Sequence, residues 1–372
     1  MLKFSLDIQM KLKLFNLIFV FNFLAAAIAF ANEDMEKLTI TDWHVHVAGL
    51  GYGESENFVN EAMRNNYRFD FFLKWMNVTE EDLENYGDQI VVKRLNQQIE
   101  ESKYIDQAVI LALDGVIDKN TNKLDKANTQ FYVDNDFVAN EANKYSKLLF
   151  GASINPERED SIELLEKVYQ QGAVLIKWIP SIMHFDPADE RFEPFYRKMA
   201  ELNIPLLTHT GMEKSFPNTN DALADPRRLE LALRSGVTVI AAHIATTGKS
   251  VGQDNFERIM PMFEQFPNLY TEISSLTQLN KLGYLAEAIN KPGLKDRMLY
   301  GTDWPLQSFP LVSPWYHINH IGIKNAWRLG KIKNKWDRDV ELKQSFGVPH
   351  EVFSRKLGRI NTILNNHNGT NN

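Results

Sequence analysis

Eight short apolar runs recur along the chain, each followed by a stretch whose apolar residues return every three or four positions. The runs are LTITDWHVHV (38–47), QAVILAL (107–113), LLFGASI (148–154), AVLIKWI (173–179), PLLTHT (205–210), TVIAAHI (238–244), LYTEIS (269–274) and MLYGTD (298–303). Their near-continuous apolarity suits parallel strands covered on both faces. The stretches between them, such as SIELLEKVYQQG and ERFEPFYRKMAELN, read as amphipathic helices ending in Gly or Asn. Strand and helix alternating eight times predict an α/β fold, a closed (β/α)8 TIM barrel. An open doubly wound sheet is the competing arrangement, but no Gly-rich fingerprint follows the first run.

One connection breaks the rhythm. Between the first and second runs an aromatic, charged region predicts a helical insertion over the barrel mouth at about residues 54–103. A helical segment at 337–364 follows the eighth run, and the polar tail 365–372 is expected to be disordered. At the other end, Lys11 and Lys13 precede an apolar stretch from Leu14 to Ala31 that closes in Ala29-Phe30-Ala31. This is the pattern of a signal peptide over residues 1–31, with the barrel domain occupying 32–372. The expected location is therefore outside the cytoplasm, periplasmic or secreted, with no stable membrane embedding after cleavage. An uncleaved anchor is the alternative.

The absence of cysteine removes disulfides, thiol nucleophiles and Cys-based metal sites together. A balance of 41 basic against 48 acidic side chains, net −7, argues against a general nucleic-acid binder. The polar residues left to carry chemistry stand at the ends of the apolar runs. His44 and His46, at i and i+2, project from one face together with Asp42. Lys177 lies near the end of the fourth run, His209 ends the fifth, His243 the sixth and Asp303 the eighth. The successive steps Lys177–His209, His209–His243, His243–Glu272 and Glu272–Asp303 are 32, 34, 29 and 31 residues, each one βα unit. A barrel gathers such residues at its C-terminal mouth. Imidazoles and carboxylates without thiolate suit a divalent metal, zinc first, with Mn, Fe or Ni as alternatives, and an open position for water.

TDWHVHVAGLG, GAVLIKWIPS, IPLLTHTGME, VIAAHIATTG and LYGTDWP resemble, in order and spacing, the amidohydrolase superfamily and within it the amidohydrolase-2 branch, over roughly residues 38–360. The resemblance implies a metal-dependent hydrolase in which His44, His46 and Asp303 hold one ion, with His209 as a further ligand. It implies that His243 binds a second ion or polarises the substrate. Lys177 occupies the position that binuclear members use for a carboxylated lysine bridging two ions. Glu213 resembles a recurrent acidic position, and Glu272 and His184 are weaker candidates, to support the ligands or line the mouth. The implied chemistry is activation of water to cleave an amide, lactone or other ester of a small molecule, with Asp303 moving the proton. A nonoxidative decarboxylase on the same scaffold is the alternative, and a non-catalytic exported metal- or ligand-binding protein is a third reading. A homo-oligomer is compatible with each. N-terminal sequencing of the exported protein should find Asn32 first, and a chain beginning at Met1 or Met10 would contradict cleavage.

Overall fold

All eight apolar runs form strands, paired side by side in chain order: β1 (Ile40–His46), β2 (Ile105–Leu111), β3 (Leu148–Ala152), β4 (Leu175–Trp178), β5 (Leu206–Thr208), β6 (Val239–Ala241), β7 (Leu269–Glu272) and β8 (Met298–Leu299). The architecture comes from a computed structural model that describes residues 39–360 apart from 309 and 311. The expected signal peptide and polar tail lie outside the described residues. Every neighbouring pair from β1–β2 to β7–β8 is parallel. The chain beyond β8 then returns to β1. Trp43 N–H donates to the Tyr300 carbonyl (3.1 Å), Asp303 N–H to His44 O (2.8 Å) and His46 N–H to Trp304 O (3.0 Å). These three bonds bring the last strand against the first and make the sheet a TIM barrel.

Alternation along the strands sorts side chains as the pleat requires. Val109, Leu111, Val174, Leu175, Leu207, Ile240 and Leu299 join Trp43 in one buried cluster. On β4, Trp178 turns away from Lys177 and packs on Phe185, Phe195 and Tyr196, with ring centroids 4.8–5.9 Å apart. Asp42, fully buried on β1, accepts from Thr302 N–H (3.0 Å), Thr302 Oγ1 (2.6 Å), His44 N–H (3.1 Å) and Trp336 Nε1 (2.8 Å). Burial pushes its carboxyl up to about 7 against the pull of these donors. The carboxylate thereby fixes the loop after β8 to β1.

Between β1 and β2 the chain forms α1 (Glu61–Arg64), α2 (Arg68–Trp75), α3 (Glu80–Tyr86) and α4 (Gln89–Glu100). Thr79 caps α3 in a reciprocal box with Asp82. Asp88, just before α4, gathers the loop that leaves β1: it accepts from Leu50 N–H (2.9 Å), Gly51 N–H (3.0 Å), Asn57 Nδ2 (3.0 Å) and Ser55 Oγ. A buried carboxylate is tolerated when donors surround it. After the barrel come α5 (Lys335–Ser345), which carries Trp336, and α6 (His350–Ser354).

Gly301 allows the closest approach in the loop after β8. A Cβ there would lie 2.8 Å from Glu272 Oε2 and 3.1 Å from His44 Cβ, both on fully buried side chains. Gly301→Ala should therefore cost about 1–3 kcal/mol, read as a lower midpoint of thermal unfolding. An unchanged midpoint would contradict this packing.

Candidate active site

The strand ends converge. His44 and His46, from β1, bring their Nε2 atoms within 3.1 Å of each other. Asp303 Oδ1 lies 3.4 Å from the first and 3.3 Å from the second. The His243 ring stacks on His44 with centroids 5.4 Å apart, and His209 meets His243 edge-on at 5.4 Å. Lys177 Nζ, 1% exposed, donates to His44 Nε2 at 2.8 Å.

Glu272 stands at the end of β7 with no exposed surface. It faces His44 Nδ1 (3.1 Å) and accepts from His243 N–H (3.0 Å), Ser274 N–H (2.5 Å) and Ser274 Oγ (2.9 Å). Burial alone would raise its carboxyl, but the His243 and His44 imidazoles and the Ser274 amide hold it below the usual range. Burial also lowers His44, to about 4, with Lys177 adding to the effect. His44 is therefore neutral near pH 7, and Glu272 draws its proton to Nδ1. His243 is likewise held well below its ordinary value by burial and then by Lys281. Its Nδ1 faces Ser274 Oγ (2.9 Å) and Ser274 O (3.3 Å), so the proton sits there too. Both rings then turn an Nε2 lone pair toward Asp303, whose Oδ2 is 3.8 Å from His243 Nε2.

The backbone at two of these positions is unusual. His243, Ile244 and Ala245 have φ of 57°, 55° and 52°, and Asp303 has φ of 59°. Non-glycine residues in this region are strained by about 1–3 kcal/mol each. Side chains from β7 hold the first turn: Glu272 takes His243 N–H, and Thr271 Oγ1 takes Ile244 N–H at 3.1 Å. The bond from Asp303 N–H to His44 O holds the second.

The donor set fits a divalent cation. Three electron-pair donors, His44 Nε2, His46 Nε2 and Asp303 Oδ1, face one another within 3.4 Å. His44, His243 and Glu272 also lie close together, but there the two imidazoles turn Nδ1 to the carboxylate, at 3.1 and 3.4 Å. His209 Nε2 is buried with no hydrogen-bond partner among the described residues, while its Nδ1 faces Glu213 Oε2 at 3.5 Å. Imidazoles backed by carboxylates are the usual support for metal ligands.

Of the weaker candidates, Glu213 stands behind His209 and lines the pocket over the cluster, whereas His184 lies outside it, half-buried in a left-handed turn after a short helix. His317 is also elsewhere, bonded to Thr277 O at 2.9 Å. Three residues at the mouth are not among the strand-end candidates. Ser275 Oγ donates to Asp303 Oδ2 at 2.7 Å, and Ser274 bridges His243 and Glu272. Lys281, 8% exposed, acts through its charge on Asp303, Glu272 and Glu213. The two serines lie two and three residues past the end of β7, a position the spacing could have flagged. Lys281 ends a single 3-10 turn (Leu279–Lys281) in a stretch that carries no pattern.

A parallel eight-stranded barrel with imidazoles and carboxylates at its mouth defines a class of metal-dependent barrel enzymes. This chain belongs to the amidohydrolase family (Amidohydro_2), whose model matches residues 104–320. That match starts after β1, so His44, His46 and the insertion lie outside it. Among solved structures, an uncharacterized TIM-barrel protein from Bordetella bronchiseptica aligns with 82% of this chain and 100% of its own at 18% identity, TM-score 0.51. A Pseudomonas putida protein provisionally assigned as a 2-pyrone-4,6-dicarboxylic acid hydrolase shows 14% identity over 83% and 98%, TM-score 0.47. The 5-carboxyvanillate decarboxylase LigW from Sphingomonas paucimobilis shows 12% identity over 86% and 100%, TM-score 0.46. At these identities the likeness is one of fold. No curated protein matches the sequence.

Glu272→Ala should leave His44 Nδ1–H, His243 N–H and Ser274 N–H buried without an acceptor, at about 1–3 kcal/mol for each orphaned group. Urea unfolding should show the loss, and Glu272→Gln, which keeps an acceptor oxygen, should lose less. Equal stability of the two variants would contradict this assignment.

Proposed function

We propose that this protein is a divalent-metal-dependent hydrolase that turns water on the carbonyl of an amide, lactone or other ester. The observation that carries the reading is the convergence of His44 Nε2, His46 Nε2 and Asp303 Oδ1, within 3.4 Å of one another, beneath an open pocket. These three would hold one ion, His209 would add its unpartnered Nε2, and His243 is oriented as a ligand toward a second. When bound, a divalent cation, zinc foremost, supplies Lewis acidity and lowers the pKa of water toward neutrality.

The chain's own groups supply the proton handling. Asp303 takes the proton of the attacking water at Oδ2, the oxygen that Ser275 Oγ orients, and returns it to the leaving group. His243 carries its proton on Nδ1, on the side of Ser274, so its Nε2 accepts rather than donates. That favours a ligand role over polarisation of the substrate. Lys177 Nζ, 2.8 Å from His44 Nε2, is the position at which a carbamate would join two ions.

Asp303→Asn should lower turnover about 10²–10⁴-fold, the usual worth of a positioned proton transfer, with metal content falling less. His44→Ala should remove metal and activity together. The practical assay is a panel of amides, lactones and esters, with metal content measured in parallel. Release of CO2 from aromatic carboxylic acids, without hydrolysis of the panel, would replace this reading with a decarboxylase. Unchanged turnover in Asp303→Asn would reject the mechanism.

A further inference from the structure

The pocket over the imidazole–carboxylate cluster has two unlike parts. Among the described residues that line it, the charged ones other than histidine are Lys177, Glu213 and Asp303, all next to the imidazoles. Each is already engaged. Lys177 serves His44, Glu213 faces His209 and accepts from Ser215 N–H (2.5 Å), and Asp303 is shared by the imidazoles and Ser275. Lys281, the other buried cation of the mouth, does not line the pocket. Away from the cluster the wall is apolar, built by Phe69, Phe72 and Leu73 of α2, Met76, Leu83 of α3 and Phe131. No arginine and no further lysine reaches it from the described residues.

This lining selects by chemistry. A carboxylate or phosphate placed against the apolar wall would shed its hydration with no counter-charge beside it, which is strongly unfavourable. An alkyl or aryl body gains with every methylene it buries. We propose that the substrate is a neutral lactone, ester or amide bearing an alkyl or aryl group, with that group seated against the insertion helices and its carbonyl on the imidazole–carboxylate floor. The proposal rests on the hydrolytic reading of the same floor and names its substrate class. It gives α1–α3 a task, since Met63, Phe69, Leu73 and Leu83 all turn inward. These helices are the specificity element.

Calorimetric titration of the purified protein with methyl ketones, from 2-pentanone to 2-undecanone, tests binding without turnover. Affinity should rise about three- to fourfold for each added methylene, and keto acids of equal length, with the carboxylate at the far end of the chain, should bind more weakly. Flat affinity along the ketone series, or keto acids that bind more tightly than ketones, would overturn the proposal. In parallel, turnover of lactones with side chains of increasing length should follow the same order. Leu73→Gln should reduce the ratio of long- to short-chain kcat/KM about tenfold, and Phe72→Ser, at a half-buried position, serves if the first variant does not fold. Length-dependent ketone binding with no hydrolysis of any lactone, ester or amide would retain the pocket assignment and remove the hydrolytic reading. Hydrolysis without dependence on length would do the reverse.

Discussion

A carboxylate with no access to water organises the mouth of this barrel. Glu272 is surrounded by donors from three places: the His44 ring on β1, the turn at His243 after β6 and the Ser274 amide and hydroxyl beyond its own strand. It chooses the tautomer of His44 and helps to place that of His243, and so decides which nitrogen of each ring looks into the pocket. It also steadies a turn in which three successive non-glycine residues adopt left-handed backbone. Strain of that kind persists only where the surroundings over-determine it. The same carboxylate therefore serves the fold and the chemistry, and neither can be altered alone.

The strands were legible because a buried parallel strand writes itself as a short apolar run, and the mouth residues because a barrel places one strand end beside the next. Spacing alone identified His209, His243, Glu272 and Asp303 as neighbours, although Glu272 read only as a supporting residue. Its central place depends on donors that meet it from across the barrel. The roles of Asp42, Ser275 and Lys281 depend on loops whose course is set by tertiary hydrogen bonds, and Ser275 and Asp303 both have positive φ. His184 shows the opposite failure. It lies seven residues past Lys177 in the sequence, and the left-handed turn that it occupies leaves it outside the pocket. The pocket wall was illegible for a different reason. Its members are scattered from Ala48 to Leu306, and no local period connects them.

Asp88 ties the start of the connection after β1 to its last helix. By accepting from Leu50, Gly51, Ser55 and Asn57, it fixes the chain where it leaves β1 and where it enters α4. Between those two points the helices contribute apolar side chains to the pocket and none of the imidazoles or carboxylates of the cluster. Floor and roof are thus separable in sequence. The reacting groups come from strand ends under tight geometric constraint, whereas the roof can change size and shape by substitutions on α1–α3 without disturbing them.

The join between the last strand and the first has a consequence of its own. It is made by backbone bonds at Trp43, His46 and Asp303 rather than by a regular ladder, and His44, His46 and Asp303 line that same join. The barrel thus closes through the residues that face one another across the mouth. An ion gripped by those three would act as a rivet across the seam, and the free energy of gripping it would count toward keeping the cylinder shut. Resistance to heat would then depend on the supply of metal in the surrounding medium, a property of the compartment as much as of the polypeptide.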